Sequence, residues 1–301
     1  MMHRFLKIFG VMTTFGMLVV IIQGALVTQT GSGDGCGAEW PLCYGQLFPA
    51  EPTLKTMIEY THRLVSGILG LMVITHAIWS WNSLRHMKET KLFAILAVLF
   101  IILQSLLGAG AVVWGQSSAV MALHFGFSLI SFTSVLLLTI LAFESGKDST
   151  MKQTKIAANI RNLMYFILAY VYIVVYTGAY VKHTSSGAAC SGWPLCNGQL
   201  IPNLEGSIAI QFGHRLAAGL LFIVILIAFI LVLKHYRHER IFFYSVSISF
   251  IFVTIQVISG AVVVFSGFTL NATLFHAFMV SLLFGAISYS TLLAYRAKQK
   301  S

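Results

Sequence analysis

Two stretches of the chain carry one pattern twice. Residues 31–49 hold Cys36, then Trp40-Pro41-Leu42-Cys43 and Gly45-Gln46-Leu47; residues 185–202 hold Cys190, then Trp193-Pro194-Leu195-Cys196 and Gly198-Gln199-Leu200. The repetition continues downstream. His62-Arg63-Leu64 returns as His214-Arg215-Leu216, Gln104 with Gly108-Ala109 as Gln256 with Gly260-Ala261, and His124 as His276, each 152 positions later. A tandem duplication of this kind folds into two similar halves. Each half carries its own pair of histidines and its own pair of cysteines, so differences between the halves read as specialisation.

The composition says where those halves reside. Of 301 residues, 57% are hydrophobic and 9% charged, whereas a soluble domain carries roughly 25% charged residues. That deficit places the chain in a membrane. A spanning helix needs about 20 apolar residues. Stretches of that length lie near 8–29, 57–82, 92–113, 118–143, 160–182, 207–233, 241–264 and 271–295, four in each half. The expected fold is an all-α integral membrane protein of eight transmembrane helices, arranged as two tandem-repeat four-helix bundles, residues 1–146 and 147–301. The charged link around 144–159 is the natural boundary. The first span follows seven residues and lacks a small-residue cleavage site, so it reads as a retained helix rather than a signal peptide. With an even number of helices per half, both halves insert in the same orientation, like the parallel repeats of some transporters.

The net charge of +10 is a topology signal. All of the 19 Lys and Arg except Lys55, Arg63, Lys182 and Arg215 fall at alternate helix ends, from Arg4 and Lys7 to Arg296, Lys298 and Lys300. Cytoplasmic loops carry the Lys/Arg excess. Both termini are therefore expected in the cytoplasm and both cysteine loops outside. No nucleic-acid partner is called for; the lipid membrane is the partner of this surface.

Disulfides persist outside the cytoplasm. Each cysteine pair is close in sequence and brackets a Trp-Pro-Leu segment, which assigns two local bridges, Cys36–Cys43 and Cys190–Cys196. The alternatives are a thiolate metal site, against which the spacing counts because zinc ligands usually stand two to four residues apart, and a redox-active disulfide in a short exposed loop.

Position sorts the ten histidines. His3, His86, His235 and His238 lie in basic cytoplasmic segments, His183 sits at the outer end of the fifth span opposite Gln29, and His76 lies deep in the second span where its repeat has Ala228, as a hydrogen-bonded core residue would. His62, His124, His214 and His276 each lie about five to six residues inside a helix that enters from the outside, at one common depth. Ionisable residues inside a membrane are costly and face the bundle interior. Two neutral imidazoles in each bundle, with no carboxylate cluster beside them and apolar surroundings, suit the axial positions of a haem iron. Arg63 and Arg215 directly follow two of these histidines; with Lys182 they are candidate contacts for the haem propionates, to which guanidinium groups bond in bidentate fashion. Snorkelling of the two arginines to the outer surface is the competing reading.

The halves differ beside the first histidine. Three residues before His62 stands Glu59; three before His214 stands Gln211. Residues three apart share a helix face. One site therefore has a carboxyl group able to carry a proton or stabilise a developing cation, and the other an amide of the same shape. The alternative is an i,i+4 ion pair of Glu59 with Arg63, which leaves unexplained why Arg215 stands without an acid.

Together, Glu59-Tyr60-Thr61-His62-Arg63, the doubled Trp-Pro-Leu-Cys loops, and His124, His214 and His276 in even-numbered helices resemble the haem A synthase family, in its bacterial type with paired cysteines in both external loops. The resemblance covers nearly the whole chain. It implies an oxidoreductase of the bacterial plasma membrane that converts a pyrrole methyl group of haem O to a formyl group through an alcohol. It implies haem b as prosthetic group held by His214 and His276, substrate haem flanked by His62 and His124, and Glu59 as the catalytic carboxylate. Residues 1–146 would then be the substrate half and 147–301 the haem b half. Haem O synthase, the protohaem farnesyltransferase, is the expected upstream partner, alongside an electron partner not identified by the sequence. The rival readings are a non-catalytic di-haem b-type membrane cytochrome and a haem transporter. Neither needs the Glu59/Gln211 contrast, and four histidines at one depth count against electron transfer across the membrane.

Overall fold

The structure, a computed structural model, describes residues 2–50, 52–115, 117–145 and 155–299. Eight long helices dominate it: α1 Met2–Thr30, α2 Leu54–Ser83, α3 Glu89–Trp114, α4 Ser118–Glu144, α5 Ala158–His183, α6 Gly206–His235, α7 Arg240–Phe265 and α8 Leu270–Arg296. All eight are long and apolar enough to cross a membrane. Each expected span lies inside one of them. The helices overrun the apolar stretches because polar residues at their ends continue the same hydrogen-bond ladder beyond the hydrocarbon. At α2 the overrun ends in a true cap: Thr53 accepts a hydrogen bond from the Thr56 backbone N–H at 3.2 Å. One element departs from the all-helical expectation, a two-residue parallel pairing of β1 (Lys155–Ile156) with β2 (Lys298–Gln299).

The chain divides into two compact units, Met1–Gly146 and Lys147–Ser301. Most of the expected link around 144–159 falls at 146–154, outside the described residues. In the first unit α1 packs on α2, α2 on α3, α3 on α4 and α4 back on α1; in the second, α5 to α8 close the same ring. The last helix of each unit is the most enclosed: 67% of the apolar window of α4, and of α8, is buried, against 33% or less for the other six. These two helices are correspondingly rich in small hydroxyl residues. Ser131 of α4 donates to the Ala97 carbonyl of α3 at 3.0 Å, and the Thr291 hydroxyl of α8, whose hydrogen is shared between the Ile287 carbonyl at 2.8 Å and the Met164 carbonyl of α5 at 3.3 Å, ties α8 to α5 more weakly. In lipid, where apolar burial gives little drive for helix pairing, small residues and interhelical hydrogen bonds supply the contact.

His76 is fully buried, with Nε2 3.3 Å from the Thr139 hydroxyl. It is the hydrogen-bonded core residue that its unmatched position suggested. At the matching place in the second unit, Ala228 lines a small apolar cavity with Met164, Ile167 and Ile287.

Candidate functional site

The four repeated histidines project from α2, α4, α6 and α8. His62 and His214 lie eight residues beyond the first residue of their helices, and His124 and His276 six residues beyond theirs. At about 1.5 Å per residue this is roughly 12 Å and 9 Å along the helix axis. Within each unit the two rings lie within electrostatic reach of one another. All four are half-buried, so each keeps an accessible edge.

Each ring lies against a glycine of the preceding helix. A Cβ placed on Gly24 would stand 3.3 Å from His62 Cε1, on Gly108 3.1 Å from His124 Cε1, on Gly178 2.8 Å from His214 Cε1, and on Gly260 3.2 Å from His276 Cε1. The missing side chains are the space in which the imidazoles lie. Gly108 and Gly260 belong to the repeat visible in the sequence. Gly24 and Gly178 belong to it too, at the offset of 154 that also relates Cys36 to Cys190.

Hydrogen bonds fix the tautomer of three rings. The Gln104 backbone carbonyl lies 2.7 Å from His124 Nδ1, and a carbonyl only accepts, so Nδ1 carries the hydrogen. Thr177 spends its hydroxyl hydrogen on the Val174 carbonyl at 2.8 Å, so its oxygen accepts from His214 Nδ1 at 3.0 Å. Ser259 spends its own on the Gln256 carbonyl at 2.9 Å and accepts from His276 Nδ1 at 2.8 Å. In all three, Nε2 keeps its lone pair. The Gln256 amide nitrogen lies 3.1 Å from His276 Nε2, consistent with a free lone pair there. This donor set fits haem iron, which supplies its own equatorial nitrogens and asks the protein for axial imidazole. Among the described residues, no group of three or more His, Cys, Asp or Glu is arranged to hold a bare metal ion.

Glu59 is the only buried carboxylate among the described residues. Its Oε1 pairs with Arg63, through Nε at 3.0 Å and through Nη2, and its Oε2 accepts from the Cys36 backbone N–H at 2.8 Å. Arg63 also donates through Nη1 to the carbonyls of Glu39 and Leu42, both at 2.7 Å, and through Nη2 to that of Gly37 at 3.3 Å. All five of its N–H donors are thereby engaged. A propionate could bond Arg63 only by displacing one of these acceptors.

The second unit repeats half of this arrangement. Arg215 donates to the carbonyls of Gly192, Leu195 and Cys190 at 2.9, 3.0 and 3.0 Å. Its Nε and the Oε1 of Gln211 are both buried without a partner. Arg215 therefore persists without an acid because it holds its loop, a role the sequence reading did not raise. Lys182, the third cation considered for propionates, is exposed in the last turn of α5.

The loops that these arginines grip are matching structures. Disulfides Cys36–Cys43 and Cys190–Cys196 close them, as assigned from their spacing. After each second cysteine the chain reverses: Cys43 exchanges two backbone hydrogen bonds with Gln46, and Cys196 with Gln199. The turn residues Tyr44-Gly45 and Asn197-Gly198 all have positive φ, between 52° and 77°, the type I′ pattern for which Asn-Gly is the favoured pair. Tyr44 is thus the strained member of the four.

Comparison with known proteins gives the family. The family model described as "COX15-CtaA: Cytochrome oxidase assembly protein" matches residues 7–288. A protein named Heme A synthase from Alkalihalophilus pseudofirmus is 49% identical over 98% of this chain and 99% of its own length. Another of that name, from Halalkalibacterium halodurans, is 50% identical over 99% of both chains. A third, from Geobacillus kaustophilus, is 48% identical over 99% of this chain and 94% of its own. With eight spans and bacterial relatives of this closeness, the molecule is a multi-pass bacterial membrane protein. Matched along nearly its whole length, the chain belongs to the COX15-CtaA family of cytochrome oxidase assembly proteins.

Proposed function

We propose that this protein oxidises a pyrrole methyl group of haem O to a formyl group, giving haem A, in a bacterial plasma membrane with both termini cytoplasmic and the disulfide loops outside. Residues 1–146 hold the substrate between His62 and His124; residues 147–301 hold a haem b between His214 and His276. The reaction rests on relatives named Heme A synthase at about half identity over the full chain. The division of labour rests on one observation: a buried carboxylate, Glu59, beside one of two repeated pairs of histidines, and an amide, Gln211, beside the other.

The second unit's residues fit a resident haem. His214 and His276 are locked at Nδ1 with the Nε2 lone pair left to accept, in His276 from the Gln256 amide, which an iron would displace, and the Arg215 Nε–H is a buried donor without an acceptor, as an incoming propionate requires. Bound there, haem b would supply a one-electron redox centre. In the first unit the substrate takes the axial histidines. Glu59, one helical turn before His62, is held as a carboxylate by Arg63 and the Cys36 N–H. It would stabilise positive charge developing as the methyl carbon is oxidised, or take the proton released there. Gln211 can do neither. Haem O synthase would deliver the substrate, and an electron partner would take up the reducing equivalents.

A second reading of Glu59 also has an observation behind it. The same carboxylate ties α2 to the Cys36 loop, so it serves as a latch whether or not it acts on the substrate. Glu59→Gln separates the two. The amide oxygen still accepts from Arg63, whose three bonds to loop carbonyls remain beside the disulfide, while the charge, the proton acceptor and the acceptor for the Cys36 N–H are lost. For a catalytic carboxylate, the variant keeps its haem b and its protease-resistant loop but loses conversion of haem O by about 10²–10⁴-fold, the usual cost of a lost acid–base group. For a latch alone, Arg63→Leu reproduces the defect, the loop opens to protease in both, and the double variant is little worse than either. Near-normal yield of haem A from Glu59→Gln would end the catalytic assignment.

A further inference from the structure

Four histidines share one backbone setting, but not one hydrogen-bond setting. Nδ1 is anchored in His124 by the Gln104 carbonyl, in His214 by Thr177 and in His276 by Ser259, at 2.7, 3.0 and 2.8 Å. His62 Nδ1 is buried with no partner. The offset of 154 that matches Gly24 with Gly178 matches Gln23 with Thr177, so a glutamine stands where the anchoring threonine stands in the second unit. The Oε1 of that glutamine is itself buried and without a partner. The glutamine oxygen therefore does not cap the imidazole.

We propose that His62 is the releasable axial ligand of the first unit, that His124 is its fixed counterpart, and that Gln23 in place of threonine makes the difference. The inference rests on the reading that the first unit holds the substrate. A neutral imidazole that ligates through Nε2 must carry its hydrogen on Nδ1. An N–H left buried without an acceptor weakens the ligand, and the loss of such an outer partner typically costs 10–100-fold in metal affinity. Release is a simple exchange. The Nε2–iron bond breaks, the electron pair returns to Nε2, Nδ1 keeps its hydrogen, and neither a proton nor a redox equivalent is moved. A prosthetic haem is served by two anchored ligands, as in the second unit. A haem that enters as substrate and leaves as product is served by one grip that holds and one that lets go. Thr177 is a positioning residue, acting through the imidazole of His214; Gln23 supplies no such hold on His62.

The test uses the full-length protein in detergent, loaded with haem O and carrying its haem b. Transfer of each haem to excess apomyoglobin is followed by absorbance, and the low-spin signals by electron paramagnetic resonance. Gln23→Thr should slow haem O loss by about 10–100-fold and shift its low-spin signal toward that of an anchored bis-imidazole. Thr177→Val, nearly isosteric, should speed haem b loss by a similar factor, and Thr177→Ser should restore it. Gln23→Ala removes the glutamine without adding an acceptor and should leave haem O loss unchanged. If Gln23→Ala releases haem O tenfold faster, the glutamine already anchors His62 and the proposal is wrong. Release rates unchanged in both Gln23→Thr and Thr177→Val would overturn it as well. The assignment of halves fails separately: haem O would then bind undiminished to both His62→Ala and His124→Ala, whatever the release rates.

Discussion

The closest of the four glycine–histidine contacts gives a prediction whose size follows from the geometry. Gly178 and Thr177 are neighbours on α5, and between them they bracket the His214 ring. A methyl group on Gly178 would stand 2.8 Å from Cε1 and 3.3 Å from Nε2. Ordinary contact begins at 3.4 Å, so the ring must withdraw by 0.6 Å. It cannot do so freely, because withdrawal stretches the 3.0 Å bond from Nδ1 to Thr177. Overpacking costs about 1–3 kcal/mol, a weakened hydrogen bond up to about 1 kcal/mol, and the gain in helix propensity returns about 1 kcal/mol. Gly178→Ala should therefore destabilise the second unit by up to about 3 kcal/mol and displace the Nε2 lone pair of His214.

Gly24→Ala makes the same chemical change where the shortfall is 0.1 Å, against a ring with no Nδ1 bond to strain. There the propensity gain dominates, and the variant should be neutral or more stable by up to about 1 kcal/mol. Gly260→Ala and Gly108→Ala, at 3.2 and 3.1 Å, should fall between. The assay is a thermal melt of each purified variant in one detergent, together with the low-spin haem b spectrum. Equal melting of Gly24→Ala and Gly178→Ala, or an unaltered haem b spectrum in Gly178→Ala, would refute the idea that these glycines set the position of the rings.

Two further outcomes follow from the loops. Arg63→Leu leaves the buried Glu59 charge unpaired and should cost about 3–5 kcal/mol, whereas Arg215→Leu removes only hydrogen bonds to carbonyls and should cost about 1.5–3 kcal/mol; chemical denaturation with limited proteolysis of the two loops ranks them, and equal losses would mean that Glu59 is not held as an ion. Replacing Cys190 and Cys196 by Ser should lower stability by about 2–3 kcal/mol with haem b retained at low temperature, and non-reducing peptide mapping of the parent should show each cysteine joined to its near neighbour and none joined across the halves.

The duplication, the eight spans and the two disulfides were legible in the sequence because each depends on residue type alone: apolar runs of spanning length, and cysteines in matching places outside the basic segments. The depth of the four histidines followed from counting along a helix. What escaped was every contact whose acceptor is a backbone carbonyl. Arg63 and Arg215 each reach carbonyls in a loop more than 19 residues earlier in the chain, and a carbonyl has no residue identity to mark it. Lacking those acceptors, the sequence reading took the survival of Arg215 without an acid as evidence against a Glu59–Arg63 pair. The pair is present, and Arg215 has its own reason to stay. The locking of His214 and His276 escaped for a different cause. Thr177 and Ser259 are visible as polar residues, but their role depends on the register of α5 on α6 and of α7 on α8, which no single helix reveals.

The distribution of differences between the halves carries its own argument. What repeats is what builds: the disulfide hairpins, the arginine grips on them, the glycines under the imidazoles and the imidazoles themselves. Three of the differences lie against the histidine rings or one turn from them. Glu59 faces Gln211 across the repeat, Gln23 faces Thr177, and Leu107 faces Ser259. Drift alone would scatter such changes over lipid-facing positions, where one apolar side chain substitutes for another at little cost. Each of these three alters a charge, or the group able to hold a ring nitrogen, inside a bundle where an unmatched polar atom is expensive. The second unit spends its polar groups on locking two imidazoles. The first spends them on a carboxylate and leaves one imidazole unlocked. That is the distribution expected when one copy of a haem site is kept as a fixture and the other handles a haem that must arrive, react and leave.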